Sequence, residues 1–305
     1  MSGTSLKATL PSRIKVASPA EREFYERVLY PLQDNVLSRL ARLGLGESIY
    51  LTGGTALARF HYHHRYSDDL HFSVGPEIEI PDLINLFRSR NPDLNLRVDI
   101  SNPTVGRFLI TTAACSLKFE LLPDLDASLQ LGSLLAQSIG DPSEGLILFV
   151  NDLPDLAATK LLALDGCLEL RDLVDLEQIA HNVNICSWFD GLEQKGLPLA
   201  CDGLRSLAVN FINGTILAPA PIPADRLEAF VSELGNATEE WIEKKVHRLL
   251  RDRHSCNQLV SQLLWDHPAA SRLVTPDTVQ LLRERVRDHP IYQRLVIQQI
   301  ASLIK

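Results

Sequence analysis

Apolar and polar residues alternate strictly in two short stretches of this chain. In Ser67-Asp68-Asp69-Leu70-His71-Phe72-Ser73-Val74, Leu70 and Phe72 fall on one side while Asp69 and His71 share the other. Period-two spacing is that of a strand with one face in a core. Ser116-Leu117-Lys118-Phe119-Glu120-Leu121-Leu122 repeats the pattern and puts Lys118, Glu120 and Leu122 on one face. Further short strands are predicted near Leu96–Ile100, Gly106–Ala113 and Leu146–Val150. Between them the spacing turns helical: Ser18 caps a helix that opens at Pro19-Ala20-Glu21 and runs toward Leu43, and a second spans about Pro81 to Ser89. From Asp152 onward the pattern is almost wholly helical, with segments near 153–166, 171–183, 200–212, 224–234, 237–252, 256–266, 275–287 and 291–304. Leu217-Ala218-Pro219-Ala220-Pro221-Ile222-Pro223 reads as a linker, and residues up to about Pro11 read as lacking order. The expected fold class is α+β: a mixed β-sheet with flanking helices over residues 1–151, then a mostly α-helical C-terminal region over 152–305.

Composition narrows the class without naming a chemistry. At 305 residues and 45% hydrophobic the chain can bury a sizeable core. No apolar run approaches the roughly 18 residues of a membrane span, and the first residues lack a charged-then-apolar leader. Cys115, Cys167, Cys186, Cys201 and Cys256 form no CxxC and are odd in number, which suits reduced thiols; the expected location is the cytoplasm, with no membrane partner. A net charge of −8 argues against a broadly basic nucleic-acid surface. Residues 222–305 nevertheless carry 12 Lys+Arg and 11 Asp+Glu, so that part is +1 and the first 221 residues carry −9. Lys244, Lys245, Arg248, Arg251 and Arg253, or Arg283, Arg285 and Arg287, are candidate basic patches there. Their alternation with Glu239, Glu240, Glu243 and Asp252 is more simply that of a solvated helix face. Two echoes, Asp266-His267-Pro268 and Asp288-His289-Pro290, read as similarly capped helices rather than a repeat array.

Candidate chemistry concentrates between Tyr50 and Val74. Gly53-Gly54 break an apolar stretch just before a helix-forming run from Thr55 to Phe60. Glycines let a ligand approach the backbone, and free N–H groups of a first helical turn attract phosphate oxygens. Asp69 and His71, two residues apart on one strand face, then form a pair of metal ligands. Mg²⁺ prefers oxygen ligands, whereas the imidazole suits Mn²⁺, Zn²⁺ or other transition metals better. Glu120, on the face of a second strand, is a third candidate ligand. The neighbouring His61, His63 and His64 fall where a short helix ends, a position that favours imidazoles without any metal.

Three ordered blocks carry a family resemblance. Gly53-Gly54-Thr55-Ala56-Leu57 is followed by Arg65-Tyr66-Ser67-Asp68-Asp69-Leu70-His71, and then by Lys160 in a helix with Arg171-Asp172-Leu173-Val174-Asp175-Leu176 soon after it. Together they resemble the nucleotidyltransferase toxins of the AbiEii/AbiGii family, the toxin halves of type IV toxin-antitoxin systems, with His71 standing where that family has Asp. The resemblance covers about Tyr50 to Ile179. It implies a nucleotidyltransferase-like core over 1–151, completed by 152–216, with 222–305 as a helical tail. It further implies that Gly53, Gly54 and Thr55, with Arg65 and Ser67, bind the nucleotide, and that Asp69 holds metal. Lys160 would contact the phosphates or the acceptor, and Asp175, with Asp172 beside it, would be the later acidic residue needed for activity.

The function expected on these grounds is metal-dependent transfer of a nucleotide from a nucleoside triphosphate to an acceptor, most readily RNA or tRNA. Mg²⁺ is the expected cofactor, with Mn²⁺ as the alternative, and a cognate antitoxin the expected protein partner. The rival is a catalytically impaired homologue that binds a nucleotide or a protein; His71 speaks for it, and the intact Gly53-Gly54-Thr55, Asp69, Lys160 and Asp175 speak against it.

Overall fold

Seven strands form one mixed sheet in the computed structural model, which describes residues 10, 12–124, 134–195, 197, 199, 201–207 and 212–251. In chain order the elements are β1 (Ile14–Val16), α1 (Pro19–Phe24), which continues through a π-helical turn (Tyr25–Leu29) into α2 (Tyr30–Ala41), β2 (Ile49–Thr52), α3 (Gly53–Thr55), which continues as a π-helical turn (Ala56–His61), β3 (Leu70–Val74), α4 (Ile80–Arg90), β4 (Leu96–Asn102), β5 (Val105–Thr111), β6 (Ser116–Pro123), β7 (Leu135–Ser138) and β8 (Ile147–Val150). Helices α5 (Leu153–Cys167), α6 (Leu170–Ala180), α7 (Ile185–Gln194) and α8 (Asp202–Ser206), strand β9 (Ile216–Ala218) and helix α9 (Ala224–Arg251) follow. The sheet order is β4-β5-β6-β3-β2-β8-β7, with β3–β6 and β2–β8 parallel and the other pairs antiparallel; β1 and β9 pair in parallel as a separate ribbon. The α+β architecture matches the expectation.

The alternation read from sequence sorts the two sheet faces. Leu70, Phe72 and Val74 of β3, Phe108 and Ile110 of β5, and Leu117, Phe119 and Leu121 of β6 are all buried. Phe119 stacks on Phe72 with ring centroids 5.0 Å apart and on Phe108 at 4.5 Å. Helix α4 covers this face through Leu83, Ile84 and Phe87. Its approach to β5 is close enough that a Cβ on Gly106 would meet Ile80 Cγ2 at 2.7 Å, which is why no side chain stands there. The charged residues of the same strands are left on the opposite face.

The C-terminal helices complete the core rather than trailing from it. Helix α5 starts at Asp152, whose carboxylate accepts from Asp155 N at 3.2 Å, a side-chain cap. On α9, Leu227, Phe230, Val231, Leu234, Trp241 and Ile242 are buried at helical spacing, and Trp241 stacks on Phe189 of α7 with centroids 5.4 Å apart. Arg226 at its start donates through Nη2 to Glu177 Oε2 of α6 at 2.7 Å.

Several local expectations are corrected. The strand expected from Ser67 begins at Leu70, since Ser67 and Asp69 are drawn into bonds with Thr55. Helices expected at 224–234 and 237–252 are one continuous helix, because Gly235 lies mid-helix with its neighbours packed on both sides. Leu217 and Ala218, read as the start of a linker, are strand residues paired with Lys15 and Val16. Among the described residues of the expected 200–212 helix, Asp202–Ser206 are helical. Helix α7 and strands β1, β7 and β9 were not anticipated; three of these four elements have four residues or fewer, too short for periodicity to register. Leu10, expected to lack order, is buried in the core. The segments expected at 256–266, 275–287 and 291–304, both Asp-His-Pro echoes, Cys256 and the cluster from Arg283 to Arg287 lie outside the described residues. Among described residues Lys244 pairs with Glu240 at 2.7 Å, as a solvated helix face does. No described helix is long and apolar enough to cross a membrane, and Cys115, Cys167 and Cys186 are free thiols.

Candidate active site

Strand register assembles the first cluster. Across the sheet Thr52 of β2 lies opposite His71 of β3, His71 opposite Glu120 of β6, and Glu120 opposite Arg107 of β5. Asp69 immediately precedes β3 on the His71 side. One ligand atom each from Asp69, His71 and Glu120 fall within 4.8 Å of one another. His71 Nε2 is 2.8 Å from Glu120 Oε2 and 3.1 Å from Asp69 Oδ2, yet neither oxygen is aligned with it for a hydrogen bond, and the nitrogen is buried without such a partner. Three potential ligand atoms thus stand around one point, as metal ligands do. Two carboxylates and an imidazole therefore fit a divalent cation, with a donor set that Mn²⁺ tolerates better than Mg²⁺ does.

Two cations stand against the same acids. Arg107 Nε donates to Glu120 Oε1 at 2.6 Å, and Lys118 Nζ lies 3.2 Å from Asp69 Oδ2 and 3.5 Å from Glu120 Oε2. Burial raises the Asp69 pKa, but the adjacent His71 and Lys118 outweigh it and hold the carboxyl well below its usual range. Glu120 is likewise lowered: burial opposes, while Arg107, then His71 and Lys118, stabilise the anion.

The glycine pair is demanded by what packs on it. Gly53 has φ +72°, and a Cβ there would sit 3.2 Å from His71 Nδ1. A Cβ on Gly54 would meet Arg65 Nη2 at 2.2 Å. Thr55 is buried, its Oγ1 donating to the Asp69 carbonyl and lying 2.8 Å from Ser67 Oγ. Through that bond it fixes the backbone at Asp69, and it is not among the residues that line the cleft.

A second charged cluster lies under the glycines and is closed. Arg65 Nε and Nη2 donate to Asp175 Oδ1 and Oδ2 at 2.7 and 2.8 Å. His64 Nε2 lies 2.7 Å from the same Oδ1. Lys160 Nζ donates to Asp172 Oδ1 at 2.6 Å and pairs with Asp175 Oδ2 at 2.8 Å. The Asp175 side chain is 0% exposed and that of Lys160 10%. Burial works against the Asp175 anion, but Arg65 and Lys160 more than offset it, keeping its pKa far below normal. This pairing joins the Arg65 turn to α5 and α6, which come from opposite halves of the chain.

Between the clusters opens a cleft of about 780 Å³. Gly53, Gly54, Arg65, Ser67, Asp69, His71, Lys160 and Asp172 line it, whereas Asp175 and Thr55 do not. Four contributors were not singled out in the sequence. Asn151 follows β8 and donates through Nδ2 to Thr52 Oγ1 at 3.2 Å. Lys195, partly buried with its Nζ 2.7 Å from Asp155 Oδ1, follows the unanticipated α7. Tyr25 and Tyr66 stack at 4.3 Å along the wall. A polar residue directly after an apolar strand end is the signal that would have found Asn151. The histidines part company: His61 Nε2 meets the Asn151 carbonyl at 3.0 Å, His63 is exposed with φ 53°, and His64 serves Asp175.

Residues 35–107 match the family described as nucleotidyl transferase AbiEii toxin, Type IV TA system. The match takes in the Gly53-Gly54 and Arg65–His71 blocks and stops before Glu120, Lys160 and Asp175. No curated protein matches the chain in sequence. Among solved structures, JHP933 from Helicobacter pylori is 22% identical, over 77% of this chain and 98% of its own, with a TM-score of 0.44. A putative nucleotidyltransferase from the same organism is 21% identical, over 76% and 99%, at 0.43. MenT4, a nucleotidyltransferase toxin of Mycobacterium tuberculosis, is 17% identical, over 71% and 87%, at 0.49. Over residues 35–107 the chain is similar to the nucleotidyltransferase domain of the AbiEii toxins.

Proposed function

We propose that this nucleotidyltransferase moves a nucleotide from a nucleoside triphosphate to an RNA acceptor, tRNA foremost, with a divalent cation, Mg²⁺ or Mn²⁺, held by Asp69, His71 and Glu120. The observation that carries the proposal is the convergence of those three ligand atoms within 4.8 Å of one another, with Asp69 and His71 on the cleft that the glycine pair also lines. When bound, the cation would neutralise and orient triphosphate oxygens. Gly53 and Gly54 line the cleft and place main chain there for phosphates to approach. Arg65, pinned by Asp175, keeps that turn from shifting. Lys160 gives Asp172 and Asp175 two of its three donors and turns toward the cleft, where its charge stabilises phosphate oxygens. An acceptor hydroxyl then attacks the α-phosphorus: the new O–P bond forms, the α–β bridging bond breaks, pyrophosphate leaves, and the hydroxyl proton passes to water.

In its cellular setting the chain acts as the toxin of a toxin-antitoxin pair, with a cognate antitoxin protein as partner. The test is incubation with each α-³²P-labelled triphosphate, Mg²⁺ or Mn²⁺, and total tRNA, with Asp69→Ala as control. Label on RNA that disappears in the control is the expected result. Triphosphate binding without any label under either cation would reverse the reading in favour of a binding module, the role that His71 in place of Asp would suit.

A further inference from the structure

The two lysines of the site differ in what holds them. Lys160 is buried on Asp172 and Asp175, neither of which is a candidate metal ligand. Lys118 has a side chain 40% exposed, and its partners are Asp69 and Glu120, both candidate ligands. The overlap reaches single atoms. Lys118 Nζ faces Asp69 Oδ2 and Glu120 Oε2, the same two oxygens that face His71 Nε2. Glu120 Oε1 is engaged by Arg107, so Oε2 is the oxygen left for a cation. An ammonium and a divalent ion cannot both sit on this oxygen pair, because like charges a few ångströms apart repel strongly where water is partly excluded.

We propose that Lys118 is an exchangeable counterion: it neutralises Asp69 and Glu120 until a divalent cation takes their oxygens, and then swings to the triphosphate as a phosphate-contacting residue. Its flexible four-carbon stem permits the move, and Asp69, which it touches, lines the cleft. Metal capture and substrate grip are thereby linked through one side chain. The site takes up metal weakly without nucleotide, since the ion must first displace an internal charge. This inference rests on the metal-dependent reading above and assigns to that site a residue outside the family-matched segment.

The experiment compares full-length protein with Lys118→Met and Lys118→Arg. Free Mn²⁺ is titrated by electron paramagnetic resonance, and inorganic tripolyphosphate with Mg²⁺ by calorimetry. Lys118→Met is expected to bind Mn²⁺ about tenfold more tightly and tripolyphosphate about tenfold more weakly, with Lys118→Arg restoring the tripolyphosphate affinity. Wild-type protein that binds both probes, with Lys118→Met indistinguishable from it, overturns the inference and leaves the metal site standing. Tighter Mn²⁺ with unchanged tripolyphosphate overturns the swing to phosphate. Neither probe binding to wild type overturns the inference together with the metal-dependent reading.

Discussion

The clusters above and below the glycine pair are built from the same residue types and end in opposite states. Below, Asp175 is wholly buried and met by Arg65, His64 and Lys160 at 2.7–2.8 Å, with Arg65 aligned through two nitrogens. Above, Asp69, His71 and Glu120 crowd together with His71 Nε2 left unaligned, and the Lys118 contacts stretch to 3.2 and 3.5 Å. A closed ion network specifies a backbone arrangement; an open one retains coordination capacity for a ligand. The contrast suggests that the lower cluster serves the active site by holding it in shape.

The sharpest way to break the contrast is to open the closed cluster. Asp175→Ala leaves Arg65 buried without its carboxylate and is expected to lower unfolding stability by about 3–5 kcal/mol, read by urea denaturation. The same carboxylate sets an acid limit. Its folded pKa lies well below the ordinary carboxylate value, so its contribution is complete above that ordinary value and is lost as pH falls toward the folded pKa. Wild-type stability should therefore decline below about pH 4, and the Asp175→Ala variant should decline less over that interval. Equal declines would count against the network.

Opening the upper cluster should do the reverse. Asp69→Ala is expected to cut label transfer about a thousandfold, ~4 kcal/mol at the transition state, while the melting temperature stays near wild type. A large fall in melting temperature would make Asp69 structural as well. Gly54→Ala probes the seam between the clusters. Its Cβ would press on Arg65 Nη2, which Asp175 holds fast, for an expected loss of about 1–3 kcal/mol in a denaturant titration. The smallest effect is expected from His71→Asp, which exchanges a nitrogen ligand for oxygen. Turnover with Mg²⁺ relative to Mn²⁺ should rise about tenfold, ~1.4 kcal/mol, and an unchanged ratio would remove His71 from the metal's ligands.

Much of the upper cluster was legible in the sequence because strand alternation is local. A period of two assigns Asp69 and His71 to one face of β3, and Lys118 and Glu120 to one face of β6, whatever the strands pair with. The glycine pair was legible for a similar reason, since a break between an apolar strand and a helix-forming run needs no partner to be seen. Helix α7 and strand β9 were not, and β9 hides its three residues ahead of prolines that suggest a linker.

Residue order alone determined the α+β division, the glycine turn and which side chains share a strand face, because propensity and periodicity act over a few neighbours. Tertiary structure decided that β3 and β6 lie side by side in parallel, which brings His71 opposite Glu120 and draws Arg107 and Lys118 onto the acids. It also decided that Asp175, 110 residues from Arg65, closes beneath the glycines and outside the cleft. Pairings of that separation are set by how the sheet and helices bury their apolar faces together, and a charge joins whichever partner that burial leaves within reach.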